Sequence, residues 1–156
     1  MFFLKKAYCR AFQIGFRAVL PVLPYREPEI VRSCADLGPV LAKEQARTAL
    51  VVTDRGIVEN GLTEPLEAAL SDVGVNYAVY DKTQPNPTVD QVEEALELYH
   101  QRQCTAIIAI GGGSSMDCAK AAASVALTED SIRKYHGTGV ALPEAHLPLI
   151  AIPTTA

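Results

Sequence analysis

Apolar and polar positions along the chain follow two alternating periods from residue 48 onward. Thr48 to Thr53 (TALVVT) and Thr105 to Ile110 (TAIIAI) are short runs rich in β-branched residues, and no polar residue alternates within them. Such runs predict strands that are covered on both faces of a sheet. Val75 to Tyr80 and Pro148 to Pro153 are two further strand candidates. The pattern therefore predicts four strands.

Helical periodicity fills the segments between these strands. Residues 62–73 carry apolar side chains at helical spacing, and Gly74 is a plausible stop. Thr88 is followed three residues later by Gln91, which is the spacing of a capping box at the start of a helix. Residues 115–127 are rich in alanine and predict a third helix. The alternation predicts an α/β fold: a Rossmann-like, doubly wound parallel sheet with helices on both faces and right-handed crossovers.

The first 24 residues, MFFLKKAYCRAFQIGFRAVLPVLP, have a different pattern. Four basic residues interrupt their apolar positions: Lys5, Lys6, Arg10 and Arg17. The charges break the apolar run well short of the ~20 residues of a membrane span, and a secretory signal needs an uninterrupted apolar stretch. We expect residues 1–24 to form an amphipathic segment that packs on its own domain or oligomer. A helix lying on a membrane surface or on a partner is the alternative.

The composition of the chain mainly excludes certain partners and kinds of site. Hydrophobic residues make up 49% and charged residues 21% of the 156-residue chain, and the formal net charge is −4, so we expect no nucleic-acid partner. The four cysteines have no CxxC spacing and the three histidines form no ligand pattern, so neither a disulfide framework nor a zinc site is expected. Cys118 is expected to pack as a small apolar group. Without a secretory signal, we expect a cytoplasmic location and no membrane partner.

Three consecutive glycines, Gly111, Gly112 and Gly113, separate the third strand from the helix that follows it. In doubly wound sheets, ligands bind at the carboxyl ends of the strands. Residues without a Cβ allow a close approach to the backbone, and we expect Ser114, Ser115 and the first free N–H groups of the helix to point outward as donors for an anion. The junction predicts a phosphate or pyrophosphate site. A glycine turn that serves packing alone is the alternative.

Other polar residues follow the remaining strands. Asp54 comes after the first strand, where a carboxylate could accept hydrogen bonds from ribose hydroxyls and would repel a 2′-phosphate; a turn or N-cap aspartate is the alternative. Asn86 lies in a rigid PNPT turn and offers a free amide, or the turn only reverses the chain. Thr154 and Thr155 follow the fourth strand, where they could contact a nucleotide or satisfy the strand end. Together these residues outline a dinucleotide cleft.

The segments VVTDRGIVENGL, NPTVDQVEEALELY, AIIAIGGGSSMDCAKA and PLIAIPTTA, in that order, resemble the iron-containing (group III) alcohol dehydrogenases. The resemblance covers residues 25–156 and implies the family's N-terminal, dehydroquinate synthase-like NAD-binding domain, truncated at its C-terminal end. It implies that the pyrophosphate lies on residues 111–115, and that Asp54 favours NAD over NADP.

The same resemblance implies roles for five further positions. Asn86, Thr154 and Thr155 match cofactor-contacting residues of the family. Asp117 is expected to buttress the glycine loop, and Lys120 to lie near the cofactor or the substrate cleft. One position departs from the family pattern, because Ser115 stands where proline is common and so retains a backbone N–H.

The family's activity needs a part that this sequence does not contain. In the family, a downstream helical domain supplies one aspartate and three histidines that hold a divalent metal, iron or zinc, and no residue here matches those ligands or a catalytic role. The resemblance implies a metal-dependent, NAD-linked dehydrogenase that interconverts small primary alcohols and aldehydes, with a homo-oligomer allowed, and we expect the chain alone to be inactive. The alternatives are a non-catalytic truncated nucleotide-binding or interaction module, or the N-terminal domain of a glycerol dehydrogenase-like enzyme.

Overall fold

Residues 2–19, 28–128, 130–135 and 147–154 are described by the computed structural model, in which the chain divides into two units, Met1–Ile30 and Val31–Ala156. The first unit contains helix α1 (Phe2–Val19). The predicted boundary between residues 24 and 25 lies outside the described residues. Within the described part of the chain, no helix is both long enough and apolar enough to cross a membrane.

The second unit is built on a four-stranded sheet in the spatial order β2-β1-β3-β4. Its strands are β1 (Thr48–Val52), β2 (Asn76–Tyr80), β3 (Ala106–Gly111) and β4 (Leu149–Pro153). All three pairings are parallel, with Leu50 opposite Ala78 on one side and Ile107 on the other. The four predicted strands and the parallel, α/β fold class are confirmed.

Five α-helices lie in the described residues of this unit. They are α2 (Leu37–Lys43), α3 (Arg55–Glu59), α4 (Glu64–Asp72), α5 (Val89–Gln101) and α6 (Gly113–Val125). Two 3₁₀ turns, Cys34–Asp36 and Ile132–Tyr135, complete the described elements. The sequence predicted α4, α5 and α6 but not the shorter α2 and α3, because helices of five to seven residues depend on tertiary packing more than on their own propensity.

Hydrophobic packing on both faces of the sheet explains why the central strands contain apolar runs. Leu50 and Ile107 face one core, which α5 and α6 cover. Val51 and Ile108, the next residues along each strand, face the second core, which α2 and α4 cover. Full burial of one such side chain stabilises the fold by about 1.5–3 kcal/mol. Because the strands are parallel, the loops that follow their carboxyl ends all lie at one edge of the sheet.

Candidate functional site

The carboxyl ends of three neighbouring strands are tied together by a single buried residue, Thr53. Its Oγ1 donates to the carbonyl oxygen of Ile110 at 2.8 Å, and its backbone N–H donates to the carbonyl oxygen of Tyr80 at 2.8 Å. Its own carbonyl oxygen accepts from the N–H of Thr83 at 3.2 Å. The ends of β1, β2 and β3 are thus held at one edge. Sequence reasoning missed this role, because threonine is common in strands whether or not its hydroxyl is buried.

Gly111, at the end of β3, has a backbone conformation that a side chain would not tolerate. Its φ is +140°, and a Cβ built there would lie 2.8 Å from Ser115 Oγ, 3.2 Å from Ser115 Cβ and 3.5 Å from Asp54 Oδ2. The carbonyl oxygen of Gly111 also accepts from the N–H of Thr154 at 3.0 Å, which joins β4 to the same edge. A glycine is therefore required here for close packing.

The two following glycines open helix α6. Gly112 is its N-cap in an extended conformation and has no side chain to cap the helix. A Cβ built on Gly113 would meet nothing within 4 Å, so open space lies beside the first turn. The first N–H groups of a helix lack intrahelical acceptors and carry the positive end of its dipole. This geometry leaves room for an anion close to the backbone.

The serines at this junction differ in exposure. Ser114 is half-buried, whereas Ser115 is only 1% exposed, because its side chain packs into the space that Gly111 leaves. The expected outward direction of the Ser115 hydroxyl is therefore wrong. Asp117 and Lys120 lie on the exposed surface of α6, and among the described residues no hydrogen bond joins Asp117 to the glycine loop.

Asp54 begins the short helix α3. Its Oδ1 accepts a hydrogen bond from the N–H of Ile57 at 3.1 Å, so the N-cap interpretation is confirmed. Its Oδ2 lies toward the glycine loop, 3.5 Å from where a Gly111 side chain would begin. The residue is half-buried and also forms an isolated antiparallel bridge with Lys82. One carboxylate oxygen thus positions the loop while the other lies beside the glycine junction.

The turn after β2 is held by Gln91. The predicted capping box is present: Thr88 Oγ1 accepts from the N–H of Gln91 at 3.3 Å, and Gln91 Oε1 accepts from the N–H of Thr88 at 3.2 Å. Gln91 Nε2 also donates to the carbonyl oxygen of Lys82 at 3.0 Å, so both ends of the turn are fastened by one side chain. Asn86 lies between them, exposed and with φ +57°.

The thiol nearest the glycine loop is not activated. Cys118 is fully buried, as expected, and burial raises its pKa. The nearby Thr83 hydroxyl partly opposes that rise in pKa. Among the described residues, Thr83 Oγ1 itself has no partner that meets the distance and angle of a hydrogen bond. Burial, followed by the charge of Glu94, likewise raises the pKa of Tyr80. Neither group is poised to act as a nucleophile or base near neutral pH.

The structure brings most of the predicted site residues to one edge. Asp54, the three glycines and Thr154 are joined through the contacts above, and Thr155 lies outside the described residues. His136 and His146 also lie outside them. Within the described ranges, no cluster of three or more His, Cys, Asp or Glu side chains could hold a metal ion. The geometry leaves room for an anionic ligand beside α6, and the described residues offer no cluster that could hold a metal ion.

The sequence profile of the family described as iron-containing alcohol dehydrogenase matches residues 31–156. Alcohol dehydrogenase 4 of Schizosaccharomyces pombe is 41% identical over 110 residues, which are 70% of this chain and 26% of that protein. The NAD-dependent methanol dehydrogenase of Bacillus methanolicus is 36% identical over 121 residues, which are 78% of this chain and 32% of that protein.

A solved structure gives the same result. The sulfoacetaldehyde reductase of Bifidobacterium kashiwanohense, determined in complex with NAD+, superposes with a TM-score of 0.70 at 40% identity over 78% of this chain and 32% of that one. The chain spans about a quarter to a third of the length of these relatives.

Proposed function

The chain belongs to the iron-containing alcohol dehydrogenase family, and we propose that the carboxyl edge of its sheet binds NAD. One observation carries the proposal: a three-glycine junction opens α6 beside empty space, with the Asp54 carboxylate lying against Gly111. Backbone N–H groups at a helix N-terminus suit a pyrophosphate, and a carboxylate beside them suits a ribose with free hydroxyls. The NAD+ held by the sulfoacetaldehyde reductase supports the same ligand.

Each predicted contact then has a part in binding. The backbone N–H groups of residues 113–115 donate to the pyrophosphate, and Asp54 Oδ2 accepts from the adenosine ribose. Asn86, Thr154 and Thr155 line the cofactor from the neighbouring loops. Lys120 lies about one and a half to two helical turns further along α6 and adds positive charge near the phosphates or the substrate.

For the whole protein, we propose an NAD-dependent alcohol dehydrogenase that interconverts small primary alcohols and aldehydes by hydride transfer. The described residues do not fit the family's metal, so the part of this chain is to bind and orient the cofactor, and we expect the chain alone to be inactive. The names of the relatives support this assignment over an interaction module or a glycerol dehydrogenase-like domain. A cytoplasmic location and a homo-oligomer remain predictions.

Titration of the chain with NADH and with NADPH, followed by nicotinamide fluorescence, tests the proposal. We expect saturable binding that is tighter for NADH. Asp54→Asn should keep the α3 cap, since asparagine caps a helix as well as aspartate, but remove the charge that repels a 2′-phosphate. Two like charges about 4 Å apart near a surface repel by about 4 kcal/mol. We therefore expect the ratio of the dissociation constants for NADPH and NADH to fall at least about tenfold in Asp54→Asn.

Two further variants complete this experiment. Asp54→Gly should also relax the discrimination against NADPH. Asp72→Asn makes the same charge change at the exposed end of α4 and should leave the preference unaltered. Absence of saturable binding would remove the proposed site, and an unchanged preference in Asp54→Asn would remove the role of Asp54.

A further inference from the structure

Helix α1 (Phe2–Val19) presents large apolar side chains to solvent. Phe12, Ile14 and Phe16 are 63%, 72% and 52% exposed, and every residue from Cys9 to Arg17 is exposed. The rings of Phe12 and Phe16 stack with their centroids 6.2 Å apart and their planes 9° from parallel. A single exposed apolar residue is ordinary, but the stacked rings of Phe12 and Phe16, four residues apart on one side of the helix, indicate a surface that a partner covers, while Ile14 lies on the opposite side.

The charge of the chain is separated along the sequence. Of its 14 Lys and Arg residues, five lie in residues 1–26, where there is no Asp or Glu. All 18 Asp and Glu residues lie in residues 27–156, so the first segment is positive while the rest of the chain is strongly negative. A positive helix on a negative protein is suited to an anionic partner that the remainder of the chain would repel.

Between Cys9 and Arg17, the arginines and the aromatic rings of α1 lie on different stripes of the helix. Arg10, Gln13 and Arg17 are spaced three and four residues apart, which places them along one stripe of a helix. Phe12 and Phe16 are four residues apart and form a second stripe about 120° away around the axis. A helix that lies in a bilayer surface has this arrangement, with aromatic rings among the acyl chains and arginines reaching the headgroups.

We propose that α1 binds the surface of an anionic lipid bilayer and lies in its plane. The sequence favours packing on the chain's own domain or oligomer, and the negative charge of residues 27–156 would also suit the basic stripe. We favour the bilayer because it offers anionic headgroups directly beside an apolar interior along the whole length of a helix. The helix does not need to cross the bilayer, and among the described residues no helix could do so. This inference is independent of the proposed nucleotide site.

Sedimentation of the full chain with vesicles tests the inference. We expect binding to mixed phosphatidylcholine and phosphatidylglycerol vesicles, little binding to phosphatidylcholine alone, and loss of binding at high salt. Each basic residue near an anionic surface strengthens binding about fivefold, so Arg10→Glu with Arg17→Glu should weaken it at least about 25-fold. Phe12→Ser with Phe16→Ser should weaken it by about tenfold or more through the loss of apolar burial.

A matched double reversal, Arg32→Glu with Arg102→Glu, makes the same change in net charge at exposed positions outside α1. It should retain nearly all of the binding. Equal binding to neutral vesicles, absence of binding, or an equal loss in this control would overturn the inference. Sedimentation equilibrium tests the other occupant, a second copy of the chain. If the chain does not bind vesicles but forms a dimer that Arg10→Glu with Arg17→Glu abolishes, α1 docks on a second copy and the inference is overturned.

Discussion

Replacement of Gly111 by alanine tests whether the glycine junction is required by packing. The φ of +140° at this position is one that residues with a side chain rarely adopt, and holding a non-glycine residue there requires about 1–3 kcal/mol of strain. The added Cβ would also lie 2.8 Å from Ser115 Oγ and 3.2 Å from Ser115 Cβ. Because the second contact is with Cβ, rotation of the Ser115 hydroxyl would not relieve it.

The crowding adds a second destabilising contribution. Ser115 is buried, so its side chain has little room to move, and overpacking of a buried site typically destabilises by about 1–3 kcal/mol. Together the two effects should lower the free energy of unfolding by about 2–6 kcal/mol, a large share of the ~5–15 kcal/mol that is usual for a domain. With a urea m-value of ~1–3 kcal/mol/M, the unfolding midpoint should fall by about 0.7 M or more.

Gly113→Ala is the matched control for this substitution. Gly113 does not have a positive φ, and a Cβ there would meet nothing within 4 Å. Since alanine is a better helix former than glycine, Gly113→Ala should not lower the free energy of unfolding by more than about 0.5 kcal/mol, and a small increase is equally consistent with the reasoning. Urea unfolding of both variants, followed by far-UV circular dichroism, provides the comparison. Equal midpoints for the two variants would refute the reasoning.

Two further predictions concern the loop after β2 and a buried thiol. Gln91→Glu keeps the acceptor that caps α5 but loses the N–H donor to the Lys82 carbonyl. The free energy of unfolding should therefore fall by about 1–2 kcal/mol, and NADH should bind more weakly. Gln84→Glu makes the same change in charge and should alter neither the free energy of unfolding nor the binding of NADH. Burial raises the pKa of Cys104 from 9.0 to about 11, so its stabilising contribution is complete below pH 9 and lost as pH rises through about 11. Urea unfolding across this range should show a decline that Cys104→Ala reduces and Cys9→Ala does not, and an identical decline in both would contradict it.

The central fold was predictable from sequence because its signals are local. TALVVT and TAIIAI predict buried strands from composition alone, and the spacing of Thr88 and Gln91 predicts the start of α5. The short helices α2 and α3 were not predictable, since they contain too few residues to show a period. Leu37 and Leu41 of α2 are four residues apart, but two apolar positions are too few to predict a helix. Only the structure shows that both side chains enter the second core.

The candidate site was predictable in its residue types but not in its contacts. By itself the sequence determined that a three-glycine junction separates a buried strand from a helix, and that polar residues follow neighbouring strands. Only the tertiary structure decided that Thr53 binds the carbonyl of Ile110, that Asp54 caps α3 while lying against Gly111, and that the Ser115 hydroxyl turns inward. The physical reason is range: period and turn chemistry depend on neighbours in sequence, whereas the direction of a loop side chain depends on segments more than fifty residues away that the parallel sheet brings together.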